Sequence, residues 1–214
     1  MDLGTLGLSE IIIPTELDDL REDRLITPEE LAYWEARKRR VFYIDYDIDE
    51  SFRLIELSKI IIQMNMDELN TPKDQLKPIY LWIFSYGGDL EQSMFFCDLI
   101  KSSRIPIVTI AMGAAMSGGF LIFLAGQKRY AFNHSQILVH AGSAAFQGTA
   151  SEVEEAQKNY KRQIDSMKDY VLSHTEIDPK VFNKNRNKDW YLTTQDLIDY
   201  KIVDKIIESF EDII

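Results

Sequence analysis

The stretch from Ile105 to Gly126, IPIVTIAMGAAMSGGFLIFLAG, carries no charge, and a run of that length has two natural homes. A bilayer is spanned by roughly 20 consecutive apolar residues, while a protein core holds the same residues as two shorter elements. Composition separates the two. Pro106 stands at the start, Ile107 to Ala111 is rich in β-branched residues as a buried strand is, and Gly113, Gly118, Gly119 and Gly126 interrupt the rest. The pattern predicts a strand ending near Gly113, a tight turn holding Ser117, and an apolar helix behind it. Such a turn sets a hydroxyl beside the free N–H groups of a helix N-terminus, which is one way to arm a nucleophile. Taken alone, the stretch favours an ordinary core βα unit with an incidental serine, because the G-x-S-x-G turn is half matched, Ala115 replacing its first glycine.

The charge balance narrows the function classes. Asp plus Glu number 35 against 24 Lys plus Arg, a net charge of −11, which argues against general affinity for nucleic acid or anionic membranes, since both need a basic face. No basic residue precedes Pro14, so the positive start of a signal peptide is missing. Cys97 is the one cysteine, which removes an intrachain disulfide and a cysteine-based metal site. It lies within the apolar helical pattern MFFCDLI and reads as a buried structural thiol in a reducing compartment.

Along the chain, Ile11 to Ile13 form a short apolar patch before Pro14, and LDDLRED follows; we expect an arm that docks on another subunit. Thr27, Pro28 and Glu30 give a helix start with N-cap, first-turn proline and capping-box carboxylate. That helix ends in the basic run Arg37 to Arg40, read as cations at the negative end of the dipole. Val41 to Ile44 is the first strand, and Asp49 or Ser51 caps a helix with Leu54, Leu57, Ile61 and Met64 on one face. Ile79 to Phe84 is a strand that stops at Ser-Tyr-Gly-Gly-Asp. The helix after it carries Leu90, Met94, Cys97 and Ile100 as its apolar side. The Gly pair lets backbone N–H groups approach a bound group, but no Lys-Ser or Lys-Thr follows, which excludes a phosphate-binding P-loop. Two short strands, Tyr130 to Phe132 and Ile137 to His140, flank a turn at Asn133 and His134. AGSAAFQG reads as extended, and Thr149 or Ser151 caps a long helix striped with Val153, Ala156, Tyr160, Ile164, Met167 and Val171. Asp178-Pro179 starts a short helix, Asp189 precedes the strand WYL, Thr193 caps a last helix, and Ile202-Val203 lead the closing element. Alternation of strands and helices predicts an α/β domain with mostly parallel strands.

An attacking serine needs a base for its proton and donors for the oxyanion. Three imidazoles are present, His134, His140 and His174. His134 falls in a turn, and His174 falls at a helix end where capping is its natural task. His140 closes a buried-looking strand and is equally well a base or a satisfied core histidine. No pattern selects an orienting carboxylate among 35 acids.

The motifs FSYGGD, TIAMGAAMSGGFLI, SQILVH, FQGTASEVE and KDWYLTTQDLIDYKIVDKI, in this order, make the chain from about Trp34 to Ile207 resemble the Clp protease proteolytic subunit, ClpP. The resemblance implies a ClpP/crotonase-like fold of repeated ββα units with a protruding handle of strand plus long helix. It divides the chain into a divergent arm and helix start at 1–33 and a peptidase domain at 34–214. It places Ser117 at the nucleophile, His140 at the general base and Asp189 at the orienting acid, with Gly88 and Gly118 as the oxyanion-hole donors. Tyr80 and Trp82 fall on aromatic positions of the pocket that receives a partner ATPase loop. The implied activity is serine endopeptidase cleavage of unfolded polypeptide through an acyl-enzyme. It takes place in homo-oligomeric rings, heptamers or double heptamers, fed by an AAA+ unfoldase in the cytoplasm, with no metal or organic cofactor and no nucleic-acid or membrane partner. Four departures stand out. Tyr86 replaces a proline, Gly118 a methionine, Ala144-Ala145 the glycine pair of the handle, and Asn187-Lys188 an acidic-basic pair associated with ring contact. Against this reading stand a catalytically silent ring subunit, a dedicated maturation protease, a crotonase-type acyl-CoA enzyme and a membrane-bound Ser-Lys peptidase.

Overall fold

The computed structural model describes residues 27–48 and 53–213. The isoleucine patch, the acidic segment after it and the Asp49/Ser51 cap lie outside the described residues. Two compact units are present, one up to Lys38 and one from Arg39. In the first, helix α1 (Pro28–Arg39) starts as its sequence dictates. The Glu30 N–H donates to Thr27 Oγ1 at 3.2 Å and the Thr27 N–H to Glu30 Oε2 at 2.8 Å.

The second unit is built on a seven-stranded sheet. Its elements run β1 (Val41–Ile44), α2 (Arg53–Asp67), β2 (Ile79–Ser85), α3 (Leu90–Ser102), β3 (Ile107–Met116), α4 (Gly118–Ala125), β4 (Lys128–Phe132), β5 (Gln136–Val139), α5 (Ala150–His174), α6 (Pro179–Asn185), β6 (Trp190–Leu192), α7 (Thr194–Asp199) and β7 (Lys205–Ile207). The order is β1-β2-β3-β4-β7, with β5 beside β3 and β6 beside β5. Every pairing is parallel except β5 with β6.

The uncharged stretch is strand β3 followed by helix α4. No described helix is long and apolar enough to cross a membrane. One expectation is corrected: β3 does not stop at Gly113 but runs on to Met116. The glycine marks a change of neighbour rather than an end. Val108 to Ala111 pair with β4, and Ala114 to Met116 pair with β5. Between them Gly113 lies under the Phe84 ring, where a Cβ would come within 2.4 Å of ring carbons. The Ser135 hydroxyl donates to the Ala111 carbonyl at 2.7 Å, so the backbone acceptor at the fork stays satisfied, as a buried carbonyl must.

A second correction concerns α3. Its buried residues are Ser93, Phe96, Cys97 and Ile100, with Leu90 and Met94 only half-buried. The core side is rotated toward the small Ser93, because that side faces the start of α4 at close range. The α2 face is as its periodicity predicts, with Leu54, Leu57, Ile61 and Met64 buried. On β2, Ile79, Leu81 and Ile83 are fully buried, while Tyr80, Trp82 and Phe84 point to the opposite face. Residues 141–147, read as extended, form neither helix nor paired strand. Thr149 caps α5 through a reciprocal capping box with Glu152.

Candidate active site

The three side chains singled out in sequence sit at adjoining ends of three neighbouring strands. Ser117 follows the last residue of β3, His140 follows the last residue of β5, and Asp189 precedes the first residue of β6. Met116 is opposite Leu138, and Val139 is opposite Trp190. Because β6 is antiparallel to β5, its beginning lies where β5 finishes. Ladder register therefore brings together residues far apart in the chain. His140 Nε2 is 2.8 Å from Ser117 Oγ, and its Nδ1 is 3.0 Å from Asp189 Oδ1. With the carboxylate accepting from Nδ1–H, Nε2 is left as the acceptor for the serine hydroxyl.

Ser117 stands in a strained backbone state, φ 51° and ψ −120°, a region that costs a non-glycine residue on the order of 1–3 kcal/mol. Its neighbours enforce it. The Ser117 N–H donates to the Leu138 carbonyl at 3.0 Å, and its own carbonyl accepts from Phe120 at 3.0 Å and Leu121 at 3.2 Å. Behind it, α4 is wholly buried over all 8 residues. The Thr109 hydroxyl donates to the Phe123 carbonyl at 2.7 Å, pinning helix to strand.

The Ser-Tyr-Gly-Gly-Asp turn closes the other side. Gly87 and Gly88 have φ of 98° and 142°, where side chains are strained. Space forbids side chains as well. A Cβ on Gly87 would lie 2.6 Å from the Ser117 Cβ, and one on Gly88 would lie 1.8 Å from the Ile48 carbonyl oxygen. Among the described residues no backbone carbonyl accepts from the Gly88 or Gly118 amide. Both residues line one cleft of about 480 Å³ together with Ser117 and His140.

Ser93 was not visible as part of this site in the sequence. It is fully buried, and its hydroxyl donates to the Asp89 carbonyl at 2.6 Å. A Cβ on Gly118 would meet Ser93 Oγ at 2.3 Å. The glycine at 118 is thus matched to a serine already filling the adjacent space. Signal for that match is absent from local pattern, since the two residues belong to different helices.

The remaining candidates fall elsewhere. Tyr80 and Trp82 lie on the far face of the sheet, half-buried against Val108, Ile110 and Ile207. Trp82 has Tyr43, Phe132 and Phe210 as ring neighbours at 6.4, 6.2 and 6.5 Å. His134 is exposed in its turn. His174 ends α5, with Nδ1 2.7 Å from the Tyr170 carbonyl oxygen. Burial lowers its pKa, the Tyr170 carbonyl acts in the opposite direction, and the charges of Lys101 and Arg129 depress it further. Cys97 is fully buried; burial, partly offset by its hydrogen bond with Tyr170, pushes the thiol up to about 12.

A buried, apolar helix on a mostly parallel sheet, with serine, imidazole and carboxylate in hydrogen-bonded series at the strand ends, is the arrangement of a class of hydrolase. Residues 37–210 match the Clp protease family, and the chain belongs to that family of serine-type endopeptidases. It is 23% identical over 179 residues, 83% of this chain and 84% of the other, to the ATP-dependent Clp protease proteolytic subunit of Deinococcus radiodurans. It is also 29% identical over 162 residues, 74% of this chain and 79% of the other, to ATP-dependent Clp protease proteolytic subunit 2 of Treponema denticola.

Proposed function

We propose that the chain cleaves unfolded polypeptide with Ser117 as nucleophile, His140 as general base and Asp189 as the acid that orients it. The observation that carries this reading is the imidazole of His140 within hydrogen-bond distance of both other groups, 2.8 Å on one side and 3.0 Å on the other. Nε2 takes the hydroxyl proton as Oγ attacks the scissile carbonyl, and the Asp189 carboxylate stabilises the imidazolium that forms. The Gly88 and Gly118 N–H groups hold the oxyanion, and His140 then returns the proton to the departing amine. Water, activated by the same imidazole, releases the acyl group from Ser117.

In this reading residues 34–214 are the peptidase domain and 1–33 a separate arm, and the protein works in homo-oligomeric rings in the cytoplasm. The half-buried Val153, Ala156 and Tyr160 on α5 support an assembly in which another subunit covers that stripe. Both relatives carry the words ATP-dependent in their names. An ATPase unfoldase docking at the aromatic face around Tyr80 and Trp82 accounts for the partly open rings there. Fluorophosphonate labelling of the assembled protein should mark Ser117. Ser117→Ala should abolish labelling and lower peptide hydrolysis about 10⁴-fold or more. Absence of labelling, with hydrolysis unchanged in Ser117→Ala, rejects the assignment. Native mass, and casein cleavage with and without an unfoldase, test the ring and its partner.

A further inference from the structure

The cleft beside Ser117 has two unlike parts. Leu121, Ile164 and Met167 supply apolar lining, and Glu91 and Gln163 supply polar side chains. Glu91 lies in the first turn of α3 and Gln163 on α5, and the Gln163 carboxamide donates to Glu91 Oε1. The contact sets an exposed carboxylate at the cleft that also holds the serine hydroxyl. One carboxylate offers about four acceptor positions, so this bond leaves Glu91 able to take further donors. Asp89 lines the same cleft, but its Oδ1 already accepts the Gln92 N–H at 2.7 Å as the cap of α3. Neither lysine nor arginine lines the cleft among the described residues.

These facts sort the side chains that would enter. An acidic one meets two carboxylates with no cation to offset them, and like charges at short range disfavour binding. A purely aliphatic one gains apolar burial but displaces water from Glu91 without replacing its hydrogen bonds, which costs free energy. A lysine or arginine lays its methylene stem on the apolar wall and brings its charge to Glu91, satisfying both halves.

We propose that Glu91, hydrogen-bonded by Gln163, is a specificity-determining residue that selects a basic side chain at the substrate residue entering the cleft beside Ser117. The proposal rests on Ser117 being the nucleophile. It is tested on the full assembled protein with short fluorogenic peptides that differ only at that residue, carrying lysine, leucine or glutamate, with kcat/KM measured for each. The native protein should prefer lysine to glutamate. Glu91→Gln should cut the lysine-to-glutamate ratio by about tenfold, the scale of one charged hydrogen bond, and Glu91→Lys should invert the order. Fluorophosphonate labelling of each variant reports whether its site is folded. Labelling retained with a ratio indifferent to both substitutions overturns the specificity role alone. Absence of labelling in the native protein overturns the nucleophile assignment and the specificity role together.

Discussion

Helices α4 and α5 flank the same cleft and are opposite in every physical respect. α4 is 8 residues long and buried throughout, whereas α5 is 25 residues long with only Met167 and Val171 buried. The short helix has no face to spare for a partner, and it is joined to the sheet by Thr109 and by the turn at Ser117. The long one is anchored at its C-terminal half. There the Tyr170 hydroxyl donates to the Leu121 carbonyl at 3.2 Å, while its N-terminal half carries an apolar stripe only part covered. The contrast teaches where rigidity and adaptability reside. The proposed nucleophile adjoins the wholly buried helix, and the stripe proposed to meet another subunit lies on the helix most open to solvent.

Breaking α4 should therefore cost far more than altering the upper half of α5. Phe123→Ala, at a fully buried position, should destabilise by about 3–5 kcal/mol, measured by denaturant unfolding. A loss under about 1 kcal/mol would remove α4 as the rigid partner. Next in size, Gly118→Met should lower kcat/KM by about 10²-fold or more, because its Cβ meets Ser93 and the resulting shift moves the proposed oxyanion donor at residue 118. Ser93→Gly in the same chain vacates that space and should restore most of the activity. A double variant as poor as the single one would show that Ser93 is not the obstacle. On α5, Ala156→Glu should change the unfolding free energy of the protomer by no more than about 0.5 kcal/mol while shifting native mass toward smaller species. Unaltered mass would detach the stripe from assembly.

The C-terminal half of α5 yields two finer tests. Cys97 is buried and its thiol is pushed up to about 12, so at neutral pH it should resist alkylation until the protein unfolds. Reaction at the rate of a free thiol would show that the α3–α5 contact opens readily. For His174 the folded pKa lies below the ordinary 6.5, so the unfolded chain binds the proton more readily. Its contribution to stability is present above that ordinary value and lost as pH falls through the lowered one. Melting temperature should decline shallowly below about pH 6.5, and His174→Gln should remove that component.

Much of this was legible in the sequence. The caps at Thr27 and Thr193 are local devices, spelled out within four residues, and each forms where it is written, while of the two candidates Thr149 and Ser151 it is Thr149 that caps α5. The β1 bounds follow from its β-branched and aromatic composition, and the α2 face from periodicity. What escaped was non-local. Gly113 reads as a terminator because a glycine weakens a strand, yet here a Phe84 ring from the neighbouring strand occupies the side-chain space. The α3 face was misjudged because hydrophobicity favours Leu90 and Met94 over Ser93, and only proximity to Gly118 explains why the smaller residue is inside. Motif resemblance proposed Ser117, His140 and Asp189, but composition and spacing left His140 undecided and could not select Asp189. Their meeting depends on the antiparallel register of β6, which no local rule encodes.

The same register has a consequence for the newborn chain. The carboxylate of Asp189 arrives with the strand that follows it, 49 residues after His140, and synthesis proceeds from the N-terminus. While the polypeptide is still being made it is itself the kind of substrate it is proposed to cut. During that interval His140 lacks its proposed orienting carboxylate, so the proposed catalyst is incomplete for as long as the chain is vulnerable. Ribosome-held chains ending before Trp190 should accordingly fail to react with a fluorophosphonate, and labelling of such chains would refute this timing.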